Sequence, residues 1–177
     1  MASVERCPQC GFVFADLAPA AIPAALRGGA RATCEALERA EDRGRARTRP
    51  GPEVWSPLEY ACHVRDVLFV QRDRVLLALV EDVPGFAPMH RDERVVLAGY
   101  GDEDTAEVAD ELVTGANLLA KVFARLSPPQ LARRCVYNFP ETAERDVTWM
   151  GRQTVHETVH HLQDVAWALA PGPAPSP

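Results

Sequence analysis

The chain has 177 residues, of which 47% are hydrophobic and 25% charged, a balance that fits one globular domain with at most a small appendage. The net charge of −6 and the 7% aromatic content argue against nucleic-acid binding. We expect a cytoplasmic protein, because no apolar run reaches the roughly 18 residues of a membrane helix and the start, MASVERCPQCG, lacks a secretion-signal layout.

The first predicted element is a tight turn, CPQCG, that begins at Cys7 and lies within an N-terminal segment of residues 1–20. Its proline and glycine favour a conformation in which Cys7 and Cys10 point at one ion, which predicts a zinc knuckle. Two more ligands are needed, and the sequence contains no second Cys-x-x-Cys. The candidates to complete it are Cys34, Cys62, Cys135, His90 and His161. A redox dithiol is the alternative, but the strand–helix–strand context of such motifs is missing.

Apolar periodicity predicts four long helices, over residues 22–42, 57–81, 105–126 and 149–169. The second has the clearest start, since Ser56 and Glu59 form a capping box around a proline at the first helical position. Residues 43–53 are predicted to be a loop and residues 82–103 an irregular crossing. Residues 130–148 should contain an extended piece, with Thr148 capping the last helix.

These elements predict an all-α fold, a four-helix bundle over residues 21–170 followed by a disordered tail, residues 171–177. We expect no strand pair.

The last predicted helix carries the residues that most resemble a metal site. His156 and His160 lie four positions apart and share one face, a geometry that suits two imidazoles on one ion. The apolar stripe of this helix, which includes Val159 and Leu162, is centred roughly 120° away, so the pair should flank the core beside a cleft. His63, on an apolar stripe of the second helix, is the third candidate. A site of three histidines is therefore predicted.

The string HETVH that begins at His156 also matches the H-E-x-x-H helix of zinc proteases, in which Glu157 would be the general base. The third ligand of such a protease normally lies downstream, where few residues remain, and no substrate-holding sheet is predicted. The protease interpretation is therefore not favoured.

Three acidic residues lie one helical turn from the predicted ligands and are the candidate catalytic residues. Glu59 and Asp66 flank His63, and Asp164 follows His160. Each could orient an imidazole or take up a proton.

The order of these motifs resembles the DinB-like superfamily: the string WSPLE at residues 55–59, His63 shortly after it, and His156-x-x-x-His160-His161 near the end of the chain. These are four-helix proteins that include the YfiT-like metal hydrolases and thiol-dependent S-transferases. The resemblance covers residues 22–170. It implies an up-down-down-up bundle with a divalent metal ion held by His63, His156 and His160.

The resemblance also implies a chemistry. Members often use low-molecular-weight thiols as cosubstrates, and the mycothiol-dependent branch belongs to actinobacteria. The composition fits that source, because Lys121 is the only lysine among 19 basic residues, as is typical of GC-rich genomes. Some mycothiol-dependent members carry a glutamate in place of one histidine, whereas this sequence keeps three.

We therefore expect a metal-dependent enzyme, because three protein ligands leave a position open for water or a thiol. It would hydrolyse a small substrate or transfer a thiol to it. The expected cofactors are zinc, with nickel as the alternative, a second structural zinc at Cys7 and Cys10, and mycothiol as a cosubstrate. The expected partner is a small molecule, with no nucleic acid or membrane; a homodimer stays open. The alternative function is a non-catalytic metal-binding stress or scaffold protein.

Overall fold

The computed structural model describes residues 5–139 and 141–169. The helices in these ranges are α1 (Ile22–Asp42), α2 (Pro57–Val80), α3 (Arg91–Leu97), α4 (Thr105–Phe123), α5 (Pro128–Leu131) and α6 (Val147–Leu169), and the strands are β1 (Arg134–Asn138) and β2 (Thr142–Asp146). The four predicted long helices are α1, α2, α4 and α6, so the four-helix bundle is confirmed. The predicted tail, residues 171–177, lies outside the described residues. None of the helices described is both long enough and apolar enough to cross a membrane.

The bundle has the up-down-down-up arrangement. Helices α1 and α2 each pack against both α4 and α6. Paired contacts along each interface show that α1 runs antiparallel to α4 and parallel to α6, whereas α2 runs parallel to α4. These contacts are Arg27–Asn117 and Cys34–Ala109 between α1 and α4, Ile22–Gly151 and Gly29–Thr158 between α1 and α6, and Arg65–Glu111 and Leu68–Gly115 between α2 and α4.

The start of α2 follows from its capping box, as predicted. The backbone N–H of Glu59 donates to the Ser56 hydroxyl at 3.3 Å, and the N–H of Ser56 donates to the Glu59 carboxylate at 2.7 Å. Both free backbone donors are thus satisfied where the helix begins.

The expectation that the chain has no strand pair was wrong. Strands β1 and β2 form an antiparallel hairpin, and the backbone of residues 84–86 lies along β1, where the N–H of Phe86 donates to the carbonyl of Val136 at 3.0 Å. The sequence signal for a hairpin was weak because β2 has the sequence TAERD, in which apolar and polar residues do not alternate.

The start of α6 also differs from the prediction. The Asp146 side chain accepts from the backbone N–H of Trp149 at 2.7 Å, while the Thr148 hydroxyl donates to the carbonyl of Leu131. The capping residue is therefore Asp146. The crossing predicted to be irregular contains α3, and α4 ends at Phe123, three residues earlier than predicted.

The buried face of α6 is rotated relative to the stripe predicted from hydrophobicity. Its buried positions include Thr154, Thr158 and His161, whereas Val159 and Leu162 are only half-buried. The close approach of α1 explains this, because a side chain on Gly29 would overlap Thr158. Thr158 therefore lies where α6 approaches α1, although most other buried residues of α6 are apolar.

Two neighbouring glycines test this close approach. A methyl group at Gly29 would overlap Thr158, whereas one at Gly28 meets nothing within 4 Å. We expect Gly29→Ala to lower the free energy of unfolding by about 1–3 kcal/mol through overpacking. Gly28→Ala is the matched control, and it should raise that free energy by up to about 1 kcal/mol because alanine favours a helix. Urea denaturation measures both; equal stability of the two variants would contradict the packing described.

Candidate functional site

The sequence HETVHH on α6 places two pairs of potential ligands side by side. His156 and His160 form one i,i+4 pair, and Glu157 and His161 form another, rotated by roughly 100° about the helix axis. The two pairs therefore face different neighbours, and each belongs to a different cluster. A third group of potential ligands, His160, His161 and Asp164, joins one histidine of each pair.

The bundle cluster consists of His63, Glu157 and His161, and the knuckle cluster consists of Cys7, Cys10, His156 and His160. Within each cluster the potential ligand atoms all lie within 4.8 Å of one another.

In the bundle cluster, the Glu157 carboxylate lies between two buried imidazoles. Its Oε2 atom is 3.2 Å from Nε2 of His161 and 3.8 Å from Nε2 of His63. The amide of Gln153 donates to the other carboxylate oxygen, Oε1, at 2.6 Å. Nδ1 of His161 hydrogen-bonds to the Asp164 carboxylate at 2.8 Å. Both glutamate oxygens and one edge of His161 are thus oriented by neighbours.

The charges of this cluster follow from these contacts. Although burial opposes it, hydrogen bonds to Asp164 and Glu157 raise the pKa of His161 to about 9. The pKa of Glu157 is held below its usual range, also against burial, by His161 and His63. Burial lowers the pKa of His63. The cluster therefore presents a carboxylate between two imidazoles that differ in charge, and this anionic oxygen is suited to a cation.

A cavity of about 350 Å³ opens beside the bundle cluster. His63, Gln153 and Glu157 form its polar floor. Its walls come from α2, from residues 87–93 and from the end of β1, and include Val67, Arg74, Pro88, Met89, Arg91, Tyr137 and Phe139. A molecule in this cavity would contact the metal-ligating candidates and an apolar wall together.

Two guanidinium groups line the same cavity. That of Arg74 donates to the Tyr137 hydroxyl at 3.1 Å and to the carbonyl of Ala87, and it lies 5.3 Å from the Tyr137 ring centroid. That of Arg91 lies 5.8 Å from the ring of Trp55. The cavity therefore offers positive charge, and the guanidinium of Arg74 is held by hydrogen bonds.

The knuckle cluster contains the turn that the sequence predicted. The backbone N–H of Gly11 donates to the carbonyl of Cys7 at 2.9 Å, and Gly11 has a φ of +76°, which glycine adopts without strain. The turn lies against α6, where Sγ of Cys7 is 3.6 Å from Nδ1 of His160.

Within the described residues, a buried imidazole without partners supports a metal ion in the knuckle cluster; in the bundle cluster the unpartnered nitrogen of His63 is Nδ1, whereas Nε2 faces Glu157. Neither ring nitrogen of His156 has a hydrogen-bond partner in the described part of the chain, although both are buried, and the same holds for Nδ1 of His63. Burial also lowers the pKa of His156, which favours the neutral, metal-binding form of the ring. Buried polar atoms are normally paired, and a metal ion would supply the missing interaction.

The structure groups the predicted ligands differently from the sequence analysis. His63, predicted to share an ion with His156 and His160, instead lies with Glu157 and His161. The physical reason is the rotation of α6, which turns His161 into the core and leaves His156 and His160 facing the N-terminal turn. The knuckle is thus joined by these two histidines. None of the five residues proposed from the sequence to complete it takes part.

The three acidic candidates also separate. Glu59 caps α2 and pairs with Arg49, whose Nε is 2.8 Å from Oε2. Asp66 accepts from the Tyr100 hydroxyl at 2.6 Å and from Arg94. Both therefore have structural partners, and among the described residues neither belongs to a group of potential ligands or to the lining of the cavity, so their catalytic roles stay predictions. Asp164 lies 2.8 Å from Nδ1 of His161 and 3.8 Å from Nε2 of His160, and its predicted catalytic role stays a prediction.

Sequence reasoning missed Glu157 and His161 as partners of His63. The signal was present, since they repeat the spacing of the histidine pair one residue later. Which of the two pairs faces His63 depends on the rotation of α6 about its axis, and the spacing does not reveal that rotation.

Comparisons with known proteins agree with this architecture. The DinB superfamily profile matches residues 25–165. The solved structure of YfiT from Bacillus subtilis, described as "a probable metal-dependent hydrolase with an unusual four-helix bundle topology", is 16% identical and superposes with a TM-score of 0.75 over 83% of each chain. This likeness shows a shared fold. A comparison with curated proteins finds no match. Because the family profile spans most of its length, the chain belongs to the DinB superfamily.

Proposed function

We propose that this chain is a metal-dependent enzyme that acts on a small molecule in the cavity beside the bundle cluster. The observation that carries the proposal is that His63 and Glu157 belong both to a set of potential metal ligands and to the lining of that cavity. The description of YfiT as a probable metal-dependent hydrolase supports hydrolysis as the reaction class.

His63, Glu157 and His161 would hold the ion. Their nitrogen and oxygen donors suit zinc, with nickel as the alternative. A divalent ion with three protein ligands acts as a Lewis acid and lowers the pKa of a water or thiol, which makes a nucleophile available near neutral pH.

Two further residues position these ligands. Asp164 pairs with Nδ1 of His161, which leaves Nε2 of that ring directed at Glu157. Gln153 donates to Oε1 of Glu157, which leaves Oε2 between the two imidazoles. Both residues act through the ligands, and neither is expected to react with substrate.

The cavity walls favour a substrate that has an anionic group and an apolar part. Arg74 is held by Tyr137 and the Ala87 carbonyl, so its guanidinium is already oriented for a carboxylate or a phosphate. Val67, Met89 and Phe139 offer the apolar contact.

Thiol transfer is the second candidate, and the composition of the bundle cluster favours it. The cluster combines two histidines with a glutamate. It thereby resembles the metal site of those mycothiol-dependent members that carry a glutamate in place of one histidine. Mycothiol would then be the cosubstrate. A metal-binding protein without catalytic activity is the remaining alternative.

Replacement of Glu157 tests the proposed reaction. We expect Glu157→Gln to lower kcat/KM by more than about 100-fold, because loss of a partner that merely orients a ligand already costs 10–100-fold. The control is Glu107→Gln, since Glu107 is exposed on α4. Zinc- and nickel-loaded protein is assayed with small esters, amides and thiol–electrophile pairs. Equal activity of Glu157→Gln and wild type, or no turnover by wild type in any assay, would contradict the proposal.

Asp164 provides a test of ligand positioning. We expect Asp164→Asn to weaken zinc binding by about 10–100-fold, because His161 loses the carboxylate that fixes its tautomer, and Asp164→Glu to restore part of the affinity. Zinc titration against a competing chelator measures this. Asp66→Asn is the matched control, since it removes a half-buried carboxylate bound to Tyr100 and should lower thermal stability without changing zinc affinity. Unchanged affinity in Asp164→Asn would refute the positioning role.

A further inference from the structure

We propose that Cys7, Cys10, His156 and His160 bind a structural zinc ion that fastens the N-terminal segment to α6 and fixes the position of the bundle cluster. This second ion is separate from the one proposed for the reaction.

The donors match a closed zinc site. Two cysteine sulfurs and two histidine nitrogens form the set found in structural, four-coordinate zinc sites. Zinc–ligand bonds of about 2.0–2.3 Å in a tetrahedron separate neighbouring donors by roughly 3.3–3.8 Å. The distance of 3.6 Å between Sγ of Cys7 and Nδ1 of His160 lies in that range, and all four donors lie within 4.8 Å of one another.

The surroundings of His156 point independently to a ligand. Both of its ring nitrogens are buried without a partner in the described part of the chain, and the rings of Phe12 and Phe14 pack at 5.6 and 5.4 Å from it. An imidazole enclosed by apolar rings loses its hydrogen bonds to water, and metal coordination would replace one of them.

A zinc ion would add to the contacts that hold the N-terminal segment to α6. Glu5 accepts from the indole N–H of Trp149 at 2.9 Å, and Phe14 stacks on the same indole. The carbonyl of Leu17 accepts from Arg152, and that of Cys10 accepts from Gln163 at 3.5 Å. A structural metal is a common device for stabilising short segments of this kind.

None of the four ligands lines the 350 Å³ cavity, which favours a structural role. Their place on α6 nevertheless links them to the bundle cluster. Oε1 of Glu157 lies 3.9 Å from Nδ1 of His156, and Oδ2 of Asp164 lies 3.8 Å from Nε2 of His160. An ion that fixes His156 and His160 therefore also fixes the turns of α6 that present Glu157 and His161.

Metal content and cobalt spectroscopy of the full chain test the site. We expect Cys7→Ser/Cys10→Ser to lose one equivalent of zinc relative to wild type. In cobalt-loaded wild type we expect a thiolate-to-cobalt charge-transfer band, which the double variant lacks. Cys34→Ser, which removes a half-buried free cysteine of α1, is the matched control and should retain both zinc and band. Unchanged zinc content in the double variant, or no thiolate band in wild type, would overturn the proposal.

Two further variants separate this site from the proposed catalytic one and guard against misfolding. His63→Ala should lose the other equivalent of metal and keep the thiolate band, whatever its activity. Cys10→His keeps a donor at the same position, so it should retain zinc while the thiolate band falls to about half. A full-strength band in Cys10→His, or loss of the band in folded His63→Ala, would contradict the assignment.

Discussion

The close contact between α1 and α6 determines what the rest of the molecule can do. Gly29 leaves no room for a side chain opposite Thr158, so α6 must turn its small polar face toward α1. This rotation places His161 in the core and Glu157 at the cavity floor. It also directs the His156 face toward the N-terminal turn. A packing constraint between two helices thus distributes the potential ligands of the string HETVHH between two clusters.

The bundle cluster combines a half-buried carboxylate with two buried imidazoles, an arrangement that is costly where a group stays unpaired. Asp164 pairs with His161 and Gln153 with Glu157, which keeps its charge, whereas Nδ1 of His63 has no partner in the described part of the chain. A divalent ion would replace the proton that His161 shares with these carboxylates. The same network therefore stabilises the fold and prepares a cation site whose ligands border a cavity.

Much of the fold follows from the sequence because its signals are local. Ser56 and Glu59 mark the start of α2, and the bounds of α1 match the predicted 22–42. The turn at Cys7 was predicted from the cysteine spacing and from its proline and glycine. The grouping of ligands could not be predicted in this way. It depends on the rotation of α6 about its axis. The hydrophobic pattern does not predict this rotation, because Thr154 and Thr158 are polar and yet buried. The hairpin was missed because β2 carries no alternating apolar pattern.

The central claim is that α6 serves two metal sites with interleaved residues. Anomalous diffraction at the zinc absorption edge, on crystals of the zinc-loaded full chain, tests it most directly. The account predicts two peaks, one among Cys7, Cys10, His156 and His160, and one among His63, Glu157 and His161. A single peak coordinated jointly by His63, His156 and His160 would contradict it.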